Sequence, residues 1–128
     1  MSNQMTIKLA GGRKVDAHYD GHVMRTDGSG EAPCPFDFFL ASIGTCAGYF
    51  IVRYCEARDI DTTGIEIHEE WHRTDGKVSS IRLDVTVPDH ISERHRKGII
   101  QATEHCSVKK LMAAPPEIVC RLAEPVTA

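Results

Sequence analysis

The sequence predicts an α+β fold, because runs of alternating apolar and polar residues are separated by two stretches with helical character. The predicted order is a β-meander, an apolar helix, a β-hairpin, an amphipathic helix and a closing strand. At 128 residues the chain is long enough for one domain with its own core. No internal repeat or low-complexity linker divides it, so we expect a single domain over residues 1–128.

An antiparallel meander is predicted over residues 5–27. Apolar and polar residues alternate there in three short runs, the pattern of strands with one buried face. The pair Gly11-Gly12 separates the first two runs. The dipeptide Asp20-Gly21 separates the last two and accepts the positive φ of a tight hairpin turn.

The last strand of the meander leaves the orientation of Arg25 open. If Val23 points to the core of a regular strand, Arg25 does so too, and a buried guanidinium requires an anionic partner. If Met24 is the inward residue, Arg25 lies in solvent. The sequence favours neither alternative.

The stretch from Pro35 to Arg58 is predicted to form a central helix. It has no charged residue between Phe38 and Val52, and apolar side chains fall on every face of a helical wheel. This charge-free run has 15 residues, fewer than the about 20 that a membrane-spanning helix needs. We therefore expect a core helix that is buried nearly all round, by the rest of the chain or by a second subunit.

A long β-hairpin is predicted over residues 64–87, with its turn at Asp75-Gly76. Its first arm contains HEEWH, from His68 to His72, which matches the HExxH pattern of zinc peptidases. That pattern binds zinc on a helix, whereas four residues of strand would place the histidines about 13 Å apart. A polar strand face is therefore favoured over a metal site.

Two further helices and a strand are predicted after the hairpin. Asp89–His105 has an apolar stripe with helical spacing, and Cys106 continues that stripe. A short helix follows in CSVKKLM. Residues 117–122 alternate as a closing strand, in which Cys120 would be a packing residue.

The overall composition argues against several classes of partner. The chain has 15 basic and 18 acidic residues, a net charge of -3 and no cationic block, which argues against nucleic acid and anionic membranes. The first residues lack the features of a signal peptide, so a cytoplasmic location is expected. Five cysteines without CxxC spacing indicate neither a disulfide framework nor a zinc ribbon.

Cys46 and Cys106 are the candidates for chemistry. Cys46 lies halfway along the apolar helix, among small neighbours that leave space above its thiol. Both cysteines lie on apolar stripes, so both helices could turn them to the same seam. A thiolate attacks the O–O bond of a peroxide to give a sulfenic acid, and a second thiol converts that acid to a disulfide.

A reactive Cys46 would need a nearby cation, because burial disfavours a thiolate. It lies too far along its helix to gain much from the helix dipole. The simplest candidate is Arg25, held by a carboxylate such as Asp37 at the start of the helix. His105 is a second candidate.

The other three cysteines have less specific environments. Cys34 precedes the central helix in a proline-flanked loop, and is either incidental or a third thiol at the mouth of the site. Cys55 and Cys120 have the spacing of packing residues.

Two segments resemble motifs of a known family. APCPFDFFLASIGTCAG and EHCSV are similar to the two cysteine motifs of the OsmC and organic hydroperoxide resistance proteins. The gap of about sixty residues between them and the order of the elements also fit. The resemblance therefore spans most of the chain.

This resemblance implies an OsmC-like fold, with antiparallel sheets wrapped around two central helices in an intertwined homodimer. It implies a stress-defence peroxidase that reduces organic hydroperoxides with an external thiol or dithiol, without metal or flavin. Cys46 would be the peroxidatic thiol and Cys106 the resolving thiol. Asp37 would take the place of the acid that orients an arginine, which is Arg25 or Arg13.

Two rival functions belong to other classes. A non-catalytic dimeric module would bind a small apolar ligand in the same interface pocket, and its cysteines would stay reduced under excess peroxide. A metalloprotein would use HEEWH, and a metal assay would detect it.

Overall fold

The computed structural model describes residues 3–123 and confirms the α+β architecture. The strands are β1 (Thr6–Leu9), β2 (Lys14–Tyr19), β3 (His22–Asp27), β4 (Glu66–Thr74) and β5 (Lys77–Thr86). The helices are α1 (Pro35–Glu56), α2 (Glu93–Ala102) and α3 (Ser107–Ala113), with a 3-10 turn (Thr103–His105) between the last two. β1 to β3 form one antiparallel sheet, and β4 and β5 form a separate antiparallel hairpin.

Two tight turns determine how these strands pair. Asp20 and Gly21 have φ angles of 45° and 79°, and Asp75 and Gly76 have φ angles of 53° and 77°. Positive φ at both central residues fits a type I′ turn, whose twist matches that of antiparallel strands. Both predicted hairpin turns are therefore confirmed.

The core lies between α1, α2 and the inner face of the β4–β5 hairpin. Ile67 and Val85 of the hairpin pack against a buried cluster from the two helices. The apolar stripe predicted for the second helix is confirmed, from Ile91 through Ile99 to Cys106. The buried apolar residues are Leu40, Ile43, Ala47, Ile51, Cys55, Ile91, Ile99, Ala102 and Cys106.

The second helix is shorter at both ends than the predicted range Asp89–His105. It begins at Glu93, because the Oγ atom of Ser92 caps it by accepting a hydrogen bond from the His95 N–H at 3.3 Å. After Ala102 the backbone tightens into the 3-10 turn, and α3 then begins directly after Cys106.

Within this chain α1 is covered on one side only, so of the two alternatives for burying it nearly all round, the rest of the chain alone does not suffice. Five large apolar side chains on its other faces are 36–57% exposed. They are Phe36, Phe38, Phe39, Tyr49 and Val52. At 22 residues α1 is long and apolar enough to cross a membrane by length and composition alone, criteria that the core helix of a soluble protein also meets.

The strand predicted at residues 117–122 is wrong for the described chain. From Pro115 to residue 123 the chain has no regular secondary structure, and Ile118 and Leu122 are 83% and 99% exposed. Cys120 is exposed as well, so its prediction as a packing residue is also wrong. Alternation favours a strand only where a neighbouring strand offers free backbone groups, and none in residues 3–123 pairs with this segment.

Candidate functional site

Cys46 lies at the edge of the side of α1 that this chain covers. Of the residues three and four positions away on its face of the helix, Ile43 is buried, Ser42 and Phe50 are half-buried and Tyr49 is exposed. The thiol is half-buried, because the start of α3 packs beside it. Cys46 therefore sits at the border between the exposed apolar face of α1 and the C-terminal helices.

The structure brings Cys46 and Cys106 into contact. The Cys106 side chain and the backbone of Ser107 and Val108 lie close enough to the Cys46 sulfur to lower the pKa of its thiol. Cys106 itself is only 2% exposed, since α1 and the end of α2 cover it. The two sulfur atoms are thus adjacent, and one of them is partly accessible.

The environment shifts the pKa values of the two thiols in opposite directions. Burial disfavours the Cys46 thiolate, but the hydrogen bonds from Val108, Cys106 and Ser107 outweigh it and hold the pKa of Cys46 below its ordinary value. Burial raises the pKa of Cys106, the backbone N–H groups of Lys109 and Val108 oppose part of that shift, and the adjacent Cys46 thiol adds to it. The first proton lost from the pair therefore comes from Cys46.

The backbone donors at Ser107 and Val108 were not anticipated from the sequence, which led us to expect a cation beside Cys46. Backbone N–H groups in the first turn of a helix have no partner within that helix, so they are free to bind a sulfur atom. The one signal in the sequence was the predicted short helix starting in CSVKKLM.

Within its own chain Arg25 contacts neither the thiol pair nor Asp37. Arg25 is exposed on β3 opposite Asp16, whereas Met24 is half-buried, so the structure favours the second of the two predicted orientations. No ion pair among residues 3–123 includes Arg25. Asp37 instead accepts hydrogen bonds at the start of α1 from the Cys34 backbone N–H (3.0 Å) and thiol (3.2 Å).

The remaining candidates lie in different surroundings. Arg13 is exposed in the turn before β2. His105 is exposed too, and the centre of its ring lies 6.4 Å from that of Phe50. Cys55 is fully buried, which confirms it as a packing residue, and burial raises the pKa of its thiol.

The HEEWH segment lies on β4, as its period of two predicted. His68 is exposed, with its Nε2 atom 3.3 Å from the Oε1 atom of Glu70. In the part of the chain that the structure describes, no group of three or more His, Cys, Asp or Glu side chains could hold a metal ion.

Glu69, in the middle of that segment, is a polar group that sequence reasoning missed. Its carboxyl group lies against α1 at Gly44, where a Cβ atom would be 2.6 Å from Oε1. Its Oε2 atom is shielded from solvent and has no hydrogen-bond partner. Burial raises the pKa of Glu69, and a hydrogen bond from the Gly44 N–H opposes part of that effect.

Comparison with known proteins agrees with the fold. Residues 28–121 match the family profile described as OsmC: OsmC-like protein. The chain belongs to the OsmC-like protein family. The resemblance inferred from the two cysteine motifs is therefore confirmed, and no curated protein matches the sequence.

Solved structures show the OsmC-like fold over most of the chain. An OsmC-like protein from Mycoplasma pneumoniae has a TM-score of 0.74 and 14% identity, covering 90% of this chain and 89% of its own. A putative osmotic stress induced and detoxification response protein from Psychrobacter arcticus has a TM-score of 0.70 and 19% identity, and the match covers 86% of this chain and 88% of that protein. A third protein, described as structural genomics, has a TM-score of 0.75 and 23% identity, and the match covers 87% of this chain and 90% of that protein.

Proposed function

We propose that this OsmC-like protein is a thiol-dependent peroxidase that reduces organic hydroperoxides through Cys46 and Cys106. One observation carries the proposal, namely that Cys46 lies beside Cys106 and the first turn of α3, whose donor groups lower the pKa of its thiol. These donors stabilise a thiolate at a half-buried position, and a thiolate is the form that attacks peroxides. The direct contact with Cys106 supplies the second thiol that a two-cysteine cycle needs.

The cycle begins when the Cys46 thiolate attacks the O–O bond of a hydroperoxide. An S–O bond forms and the O–O bond breaks, so that Cys46 becomes a sulfenic acid and the alkoxide leaves as an alcohol after protonation. Cys106 then attacks the sulfenic sulfur, and water leaves as the disulfide forms. Two external thiols, or one dithiol, reduce the disulfide and are themselves oxidised to a disulfide.

We propose a homodimer as the working form. Phe38, Tyr49 and Val52 share an exposed apolar face of α1, a different face from that of Phe36 and Phe39, and a second copy packed on it would help to enclose the Cys46 thiol. We assign Arg25, or alternatively Arg13, to the thiolate across this subunit boundary, with Asp37 orienting it. The aromatic side chains around such a site would favour organic hydroperoxides over hydrogen peroxide.

A reducing cytoplasm is the proposed location, and oxidative or osmotic stress defence is the proposed role. Exposed Cys34 and Cys120 would stay reduced there, as would the resting Cys46–Cys106 pair.

The test is the consumption of cumene hydroperoxide in the presence of dithiothreitol. The wild-type protein should consume it catalytically, Cys46→Ser should be inactive, and Cys34→Ser, an exposed thiol outside the pair, should keep full activity. Activity that survives in Cys46→Ser would contradict the assignment. No consumption by the wild type would favour the non-catalytic module that binds an apolar ligand.

A further inference from the structure

An apolar groove runs along β5 on the side of the molecule where Cys106, rather than Cys46, forms the wall. Its inner part is a cavity of about 380 Å³ beside Cys106, and its outer part, of about 670 Å³, opens near the hairpin turn. Ile81 and Met112 line both parts, so the two adjoin. From residue 77 to residue 85 the groove follows β5 for about 26 Å at 3.3 Å per residue.

The walls of the groove are apolar side chains from three elements. Phe36, Phe39 and Ile43 form a stripe with helical spacing on α1, and Ile81 of β5 and Met112 of α3 face it. Phe36, Phe39 and Met112 are 42%, 37% and 48% exposed. Large apolar side chains that stay exposed along one groove indicate a binding surface.

Charge is distributed unequally along the groove. Arg73 and Lys77 line the outer part together with no acidic residue, and neither has an ion-pair partner among residues 3–123. The Arg73 guanidinium lies 5.7 Å from the centre of the Phe36 ring, within reach of a cation–π interaction. At the inner end, Glu104 and Lys109 neutralise each other through an ion pair of 2.7 Å.

We propose that this groove binds an aliphatic carboxylate. The carboxylate group lies at Arg73 and Lys77, and the hydrocarbon chain extends along β5 toward Cys106. The charge pattern determines this direction, because the unpaired cations are at the open end and the closed end is apolar and neutral. This ligand site does not depend on the peroxidase function, since the carboxylate undergoes no reaction.

Isothermal titration calorimetry with three amphiphiles below their micelle concentrations tests the proposal. Dodecanoate should bind, whereas dodecylammonium, which has the same chain length and the opposite charge, should not. Decanoate should bind about 15-fold more weakly than dodecanoate, because each buried methylene changes affinity about fourfold. Equal binding of the two dodecyl compounds, or affinity independent of chain length, would overturn the proposal.

Variants at the open end test the position of the carboxylate. Arg73→Gln combined with Lys77→Gln should weaken dodecanoate binding about tenfold, the effect of two exposed ion pairs. Arg58→Gln is the matched control, because Arg58 is also an exposed arginine stacked on an aromatic ring, but that ring is Tyr54, outside the groove. Unchanged affinity in the double variant, with its circular dichroism spectrum intact, would contradict the proposal.

The alternative occupant of the groove is a second copy of this chain. Acetylation of Lys77 in the wild-type protein, read by mass spectrometry, distinguishes the two. Lys77 should be acetylated readily without ligand and protected by dodecanoate. Protection that depends on protein concentration alone, with no dodecanoate bound, would assign the groove to a dimer interface and overturn the proposal.

Discussion

The Cys46 sulfur lies beside the Cys106 thiol and the backbone N–H groups of Ser107 and Val108, donor groups that lower the pKa of its thiol. No cation from the described chain is among these donors, so uncharged groups alone offset the effect of burial. Because the pKa of Cys46 is lowered and that of Cys106 is raised, Cys46 is the first of the two to lose its proton, as the proposed roles of nucleophile and second thiol require.

The pH dependence of Cys46 alkylation tests this arrangement. Since only the thiolate reacts, the rate with iodoacetamide should rise about tenfold per pH unit and level off below the ordinary thiol pKa. Cys106→Ala removes a donor and should shift the midpoint upward. Cys106→Ser keeps an O–H donor and should shift it less. An unchanged midpoint in Cys106→Ala, with the site of alkylation confirmed by mass spectrometry, would contradict the account.

At the level of single elements, β4 meets α1 where the Glu69 carboxyl group fits against Gly44. Burial raises the pKa of Glu69 above the value of about 4.3 that an unfolded chain has. Folding stability from this group is therefore complete below about pH 4.3 and is lost as the pH rises through the folded pKa.

Glu69→Gln should remove this loss of folding stability at high pH, because an amide of the same shape carries no charge. Urea unfolding midpoints at one protein concentration should show the variant gaining stability over the wild type between pH 4 and pH 8. Glu66→Gln, at an exposed position of the same strand, should show no such trend. If Glu69→Gln were destabilised relative to the wild type by the same amount at pH 4 and at pH 8, the predicted effect of Glu69 ionisation on stability would be contradicted.

The contact between α1 and α2 depends on a glycine. A Cβ atom at Gly98 would overlap the Tyr54 hydroxyl group and ring, so Gly98→Ala should cost about 1–3 kcal/mol of unfolding free energy. Gly48→Ala is the matched change in α1, where the new Cβ would lie 3.6 Å from the Ile67 Cδ1 atom, an ordinary contact. It should be neutral or stabilising by up to about 1 kcal/mol. Equal effects of the two variants in urea unfolding would be inconsistent with this packing.

The elements could be predicted from the sequence where local chemistry determines them. Alternation and two Asp-Gly turns specify the strands, and an apolar stripe from Ile91 to Cys106 specifies the second helix. The strand at residues 117–122 could not be judged in this way, because a strand also requires a pairing partner that no local pattern reveals. The contact of Cys46 with two N–H groups was missed because backbone donors leave no residue type to recognise.

At the scale of the whole molecule, α1 has one face in the core and another that this chain leaves open. Tyr49 and Val52 are 57% and 46% exposed there. The sequence predicted an apolar helix correctly, but which molecule covers each face depends on contacts between distant segments or between chains. A second copy is the proposed cover, and it would complete the site at Cys46.

Light scattering combined with size-exclusion chromatography tests this dimer. The wild-type protein should have the mass of a dimer, and Val52→Glu should be monomeric, because a charge would be buried in the interface. Thr86→Glu, at an exposed position of β5, should stay dimeric. A wild-type monomer, or a dimeric Val52→Glu variant, would contradict the proposed interface, and circular dichroism would verify that each variant is folded.

Intact-protein mass spectrometry with thiol counting tests the two-cysteine cycle directly, after one equivalent of cumene hydroperoxide is added to reduced protein. Two of the five thiols should disappear with a mass loss of about 2 Da, as a Cys46–Cys106 disulfide forms. Neither Cys46→Ser nor Cys106→Ser should show this loss, whereas Cys34→Ser should. Survival of all five thiols in the wild type would contradict the peroxidase function.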